Sequence, residues 1–372
     1  MRQLLVVVAT VIALGLVGTR RAEAYPQFQL AKDQTCTGCH ISPSGGGLLT
    51  ENGLNTAGAI STWGTAPEFF YNKLSLPGWL DLGGDLRGTG GYFQTPFRTL
   101  SAFPMQADVY GSGHYKGFRL YITAGYRPVE KGNEAATHVW SREHYLLWQE
   151  DEGAATGLFV RVGRFMPVFG LRFAEHPDYT RRFGGTALYT ETYGAAVEYI
   201  AADFEVHATG FVADPLIDSV DVASGAALYA EYRPSEHAAV GAEAMLQRTD
   251  DDKRYRGGLT GKLYLPAAEV LVQAEVQLVD QIVKAGGKAK QLVGYLLASR
   301  ELGAGLALDV GLGHYDENLA VKNLDRDALD LNLHWYTTSH LELIWNNRLE
   351  MIGFGSGGPT GAYSLIQLHY RL

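Results

Sequence analysis

The chain has 372 residues, a formal net charge of −9, an isoelectric point near 5.7 and a mean hydropathy of −0.08. An acidic balance lacks the basic surface that a polyphosphate backbone selects, so nucleic acid is excluded as a partner. The 45 Gly beside 21 Tyr, 15 Phe and 6 Trp are unusual for a soluble globule and ordinary for a membrane barrel, whose lumen, lipid face and turns each need different residues.

In chain order, the first element is an export signal. Arg2 supplies the positive start, an apolar run extends from Leu4 to about Val17, and Ala22-Glu23-Ala24 has the small-x-small form of a cleavage site. Residues 1–24 therefore read as a cleaved secretory signal peptide, with Tyr25 as the mature N-terminus. No later stretch approaches the roughly 18 continuous apolar residues of a spanning helix.

Residues 25–77 form a second unit, rich in Gly, Ser, Thr and Asn and without alternation. It contains Cys36-Thr37-Gly38-Cys39-His40, and Cys36 and Cys39 are the only cysteines. Cys-x-x-Cys-His is the attachment signature of a c-type haem: both thiols add to haem vinyl groups and the adjacent His ligates iron. A disulfide framework would need more cysteines, and a structural zinc site further ligands. One covalent haem c is expected, held by Cys36 and Cys39, with His40 as an axial ligand of the iron. The glycine-rich turn from Ile41 to Gly47 could fold over a haem face. Leu48 to Ile60 reads as a short helix presenting Leu49, Leu54 and Ile60 to it. About 50 residues cannot build a self-sufficient core, so this unit is expected inside the lumen of a barrel, or capping it.

The second axial ligand is open, because 25–77 holds no Met and no other His. A lumen-facing His207 or His334, or a barrel Met, could reach inward, or the iron could be five-coordinate. Tyr25-Pro26-x-Phe28 resembles the mature start of cytochrome f, and that resemblance implies the α-amine of Tyr25 as the ligand.

From residue 78 to 372 the pattern alternates almost everywhere. Leu329, Leu331, Leu333 and Trp335 fall on one side, and Asp330, Asn332, His334 and Tyr336 on the other. Period two with one polar face is a strand. With no helices to cover the apolar face, this predicts an all-β fold: a closed antiparallel barrel of about 16 strands in lipid, polar inside and apolar outside. Starts are expected near Trp79, Gln106, Gly117, His138, Gly157, Tyr193, Phe204, Ala226, Ala238, Tyr255, Ala268, Gln291, Gly305, Ala328, His340 and Ala362. Breaks are expected at 86–105 and 165–192, and long charged loops at Thr249 to Arg254 and Asp316 to Arg326.

Two segments carry further signals. Val162 to Arg172 looks like the Gly-Arg-Phe…Pro-Phe-Gly segment of anion-type porins, with Arg161, Arg181 and Arg182 nearby. These arginines could steer anions or hold haem propionates; the reading preferred here is a folded-in loop whose arginines pair with Glu175, Asp178 and Glu191. The terminal alternation Ile366, Leu368, Tyr370, Leu372 resembles the assembly signal of bacterial outer-membrane proteins.

As a whole the layout resembles the fused monohaem cytochrome–porins of the bacterial outer membrane, which include outer-membrane iron oxidases. That resemblance implies electron transfer across the outer membrane through one haem, between an extracellular donor or acceptor such as Fe(II) and a periplasmic electron carrier. Two alternatives stand beside it. One is a porin-like solute channel with a haem-bearing plug. The other is a haem enzyme or sensor with an open iron position.

Overall fold

The computed structural model describes residue 30 and residues 35–94, 97–126, 139–175, 177–187, 190–214, 223–353 and 359–372. The expected export signal at residues 1–24 and Tyr25 lie outside the described residues.

Sixteen strands make the wall. They are β1 (Leu80–Gln94), β2 (Arg98–Tyr115), β3 (Phe118–Tyr126), β4 (Val139–Gln149), β5 (Gly157–Phe165), β6 (Thr192–Ile200), β7 (Phe204–Val212) and β8 (Ser224–Ser235). There follow β9 (Ala238–Arg248), β10 (Asp252–Leu265), β11 (Val270–Val283), β12 (Lys288–Gly303), β13 (Leu306–Asp316), β14 (Asp325–Thr338), β15 (Leu341–Met351) and β16 (Pro359–Arg371). Each pairs antiparallel with its sequence neighbours, and β16 returns to β1, so the sheet is a closed barrel with no free edge. Every strand has at least nine residues, enough to cross a bilayer when tilted.

The alternation sorts as expected. Leu120, Val197, Leu259, Leu278, Leu331 and Ile366 are exposed on the outer surface, whereas Glu198, Glu231, Gln277, Asp330, Asn332 and Gln367 are buried inside. Fifteen of the sixteen expected starts fall within three residues of the observed ones. The exception is β2, which begins at Arg98 rather than near Gln106. The expected break at 86–105 is not a break: β1 and β2 pair through it, from Gly88↔Pro104 to Gln94↔Arg98. Gly88, Gly90 and Gly91 lack side chains to report a face, which hid the period-two pattern. Thr249 to Arg254 is likewise no long loop, since β10 starts at Asp252.

Connections at one end are short: 116–117, 201–203, 236–237, 304–305 and 339–340. At the other end they include 166–191, which turns into the bore. Phe169 packs on Phe211, Ala227 and Met245 of β7, β8 and β9. Tyr179 packs on Val279, Val293 and Ala328 across the lumen. The expected break at 165–192 is thus a crossing strap.

Ahead of β1 lie a one-turn helix α1 (Cys36–Cys39) and a helix α2 (Glu51–Ile60). Thr50 caps α2, its Oγ1 accepting from the Gly53 N–H at 3.1 Å. Leu48 packs inside the barrel on Tyr110 and Tyr121, and Leu30 packs on Ala239 and Leu271 of the opposite wall. At the short-turn end the Thr62 N–H donates to the Tyr336 carbonyl at 2.8 Å.

Candidate functional site

The residues of the Cys-x-x-Cys-His motif meet at the base of a tight loop. The His40 N–H closes α1 on the Cys36 carbonyl at 2.8 Å, and Ile41 N–H donates to the Leu48 carbonyl at 3.0 Å. Residues 42–47 form the tip. Gly45, Gly46 and Gly47 have φ of 77°, 74° and 60°, a left-handed run that side chains resist. A Cβ on Gly47 would stand 2.0 Å from Tyr121 Oη, so the tip sits hard against the wall. Helix α2 comes equally close to α1: a Cβ on Gly53 would stand 2.1 Å from the Cys39 carbonyl oxygen.

His40 Nδ1 lies 3.1 Å from the Gly46 carbonyl, which can only accept, so Nδ1 carries the proton. Nε2 is left with its lone pair and makes no hydrogen bond among the described residues. Burial lowers the pKa of this imidazole to about 4, helped by the nearby Arg371, which keeps it neutral at physiological pH. Neutral imidazole with Nδ1 tied to a carbonyl is the form that ligates a metal. Cys36 and Cys39 form no disulfide, and both are partly accessible. Asn52 Nδ2 approaches Cys39 Sγ at 3.7 Å. Two thiols outside any disulfide and one helical turn apart, beside an imidazole with an available nitrogen, fit the donor set of a c-type haem.

The arginines of the porin-like segment hold this loop from the wall. Arg161 is fully buried. Its Nη2 meets Glu198 at 2.7 Å, its Nη1 donates to Ser44 Oγ at 3.0 Å, and its guanidinium lies 4.2 Å over the Phe165 ring. Arg172 donates to the Pro43 carbonyl at 2.8 Å and faces Glu205 at 3.5 Å. Arg164 pairs with Asp214 at 2.9 Å. The expectation of paired arginines holds, but the partners differ. Glu191 takes Arg142, and Asp178 takes Arg348. The acids that reach Arg161 and Arg172 come from inward positions of β6 and β7, which strand pairing brings close and sequence distance conceals.

His207 and His334 both point into the lumen, as expected, and both stand among carboxylates. His207 lies 3.4 Å from both Glu198 and Glu205. His334 lies between Glu342 at 2.9 Å and Asp309 at 3.3 Å. His369, which sequence reasoning passed over, continues that row: Nδ1 faces Glu342 at 3.0 Å and Nε2 faces Asp85 at 2.8 Å.

No protein-family model and no curated protein sequence matches the chain. Solved structures do. The outer-membrane expressed OmpT of Vibrio cholerae superimposes with a TM-score of 0.61 at 12% identity, over 81% of this chain and 100% of that one. OmpF of Salmonella typhi in complex with daunomycin gives 0.60 at 12%, over 79% and 97%. The anion-selective porin of Comamonas acidovorans gives 0.57 at 13%, over 78% and 98%. The wall has the porin fold. These porin-fold structures are used almost whole, while about a fifth of this chain has no counterpart in them.

Proposed function

We propose that the chain is an outer-membrane barrel of porin build whose bore holds a haem-bearing plug, and that it controls the passage of small solutes. The porin fold of the wall carries this reading, and it favours the channel over electron transfer. Residues 35–61 lie against the inner wall and 166–191 cross the bore, so a solute path exists only around or past them. The outer membrane would then be the lipid partner, and the signal sequence the route to it.

A second reading, electron transfer across that membrane, is favoured by one observation: His40 keeps Nε2 without a hydrogen bond among the described residues, beside two thiols that form no disulfide. Cys36 and Cys39 would hold a haem c through thioethers and His40 through Nε2. When bound, that group supplies one-electron redox chemistry. Arg161 and Arg172 fix the loop on which His40 stands, and Gly46 holds the imidazole proton on Nδ1. An extracellular donor such as Fe(II), a periplasmic carrier and Tyr25 as the second ligand belong to this reading and rest on resemblance alone.

Two measurements on the purified full chain separate these readings. Alkaline pyridine spectra report covalent haem, and planar bilayers report conductance. A c-type spectrum with large steady conductance supports the plugged channel. A c-type spectrum with silent bilayers, together with reduction of the bound haem by Fe(II), transfers the weight to electron transfer. Absence of any c-type spectrum sinks every haem-based part of the proposal.

A further inference from the structure

At the long-connection end, away from the cysteines, the lumen opens into a cavity of about 600 Å³. It is lined by Arg182, Arg254, Arg256, Gln247, Gln281 and Gln291, and among the described residues Glu317 is its single acidic lining residue. The volume suits a small organic molecule.

The charges in this cavity are not all answered. Glu317 faces Arg326 at 3.8 Å, outside the lining set. Arg254 is held by Asp252 at 2.7 Å, and Arg182 by Glu350 at 3.6 Å. Arg256 is different. It is 5% exposed, and among the described residues no carboxylate lies within salt-bridge distance of it. Its one hydrogen bond there runs from Nη1 to Gln247 Oε1 at 2.6 Å, a neutral acceptor, and its Nε is buried without a partner. Gln247 is itself fixed, donating to the Gly185 carbonyl at 3.4 Å. Gln281 likewise donates to Asp252 at 2.6 Å, and Gln291 to Gln281 at 2.9 Å.

A buried guanidinium with no carboxylate in contact is costly, and a fork of N–H donors facing a polar cavity is suited to one class of guest. We infer that this cavity is a binding site for a small oxyanion, a carboxylate or a phosphate ester, with Arg256 as its principal charge partner and Arg254 and Arg182 widening the positive field. Phe183 and Tyr315 stack at 4.0 Å with an interplanar angle of 6° and form a flat apolar side to the same space. That side suits the carbon skeleton of an organic anion better than a bare ion. The site is independent of whether the bore conducts and of whether haem is attached.

Calorimetric titration of the detergent-solubilised full chain with citrate and with inorganic phosphate, at low salt, tests this. Saturable binding of either probe is expected, and the stronger one tells carboxylate from phosphate. Arg256→Gln should weaken it by about tenfold or more, the scale of a lost charge-assisted hydrogen bond. Gln247→Glu is the second variant. It leaves Arg256 in place, gives it an internal carboxylate and should abolish binding in a barrel that folds at least as well. Failure of both probes to bind the unmodified protein overturns the site. So does unchanged affinity in Gln247→Glu.

Discussion

The wall and the lumen segment are built on opposite principles. The wall repeats one rule sixteen times: an apolar residue out, a polar residue in, and a neighbour on each side. Residues 35–61 repeat nothing. They are held by a few individual contacts: Ser44 on Arg161, Pro43 on Arg172, Leu48 between Tyr110 and Tyr121. A repeated rule tolerates local damage because adjacent pairs share the load. A set of unique contacts fails one at a time, and each failure has its own signature.

The largest expected effect isolates the lumen segment from the wall. Replacing both Cys36 and Cys39 by Ala should abolish covalent haem entirely, read by haem staining and the pyridine spectrum. The heat-modifiable mobility shift of the folded barrel should remain. A barrel that fails to assemble would show that the two regions are not separable.

Next is the shared anchor. Arg161→Ala leaves Glu198 buried without its guanidinium and Ser44 without its donor, an expected loss of about 3–5 kcal/mol. Urea unfolding in detergent measures it, and Arg161→Ala combined with Glu198→Gln should recover part of it. No change in midpoint for the single variant would remove Arg161 as the anchor.

Leu48→Ala cuts only the apolar seat of the loop on Tyr110 and Tyr121. It should cost about 2–5 kcal/mol of docking and speed limited proteolysis within 35–79, while cleavage of the barrel stays slow. Thr50→Ala removes only the cap of α2, an expected loss of about 1 kcal/mol, detectable as faster amide exchange in Glu51–Ile60. If Thr50→Ala proved as damaging as Leu48→Ala, the segment would fold as one unit rather than by separate contacts.

The same contrast explains what could be read from the amino acids. Strand count, facing and closure were legible, because burial writes itself into period two wherever side chains exist, as at Phe204, Glu205, Val206 and His207. It failed where glycine removed the letters, around Gly88 to Gly91. The grouping of Cys36, Cys39 and His40 was legible because residues so close in sequence need no fold to bring them together. The partners of Arg161 and Arg172 were not, since Glu198 and Glu205 reach them only through strand neighbours. Nor was Arg256, whose meaning lies in having no carboxylate in contact among the described residues, a property no local spacing records.

The row Asp309, His334, Glu342, His369, Asp85 spans five adjacent strands and crosses the joint where β16 meets β1. Every backbone ladder in the ring looks alike to its neighbours, so hydrogen bonding between strands cannot by itself reject a misplaced pairing. A slip of one residue would turn His369 toward lipid and leave Asp85 and Glu342 without their shared imidazole. This row of alternating acid and imidazole therefore works as a checksum on assembly. It is satisfied only when the last strand made finds the first at the right offset, and a ring sealed one step wrong would be marked by uncompensated acid at its own joint.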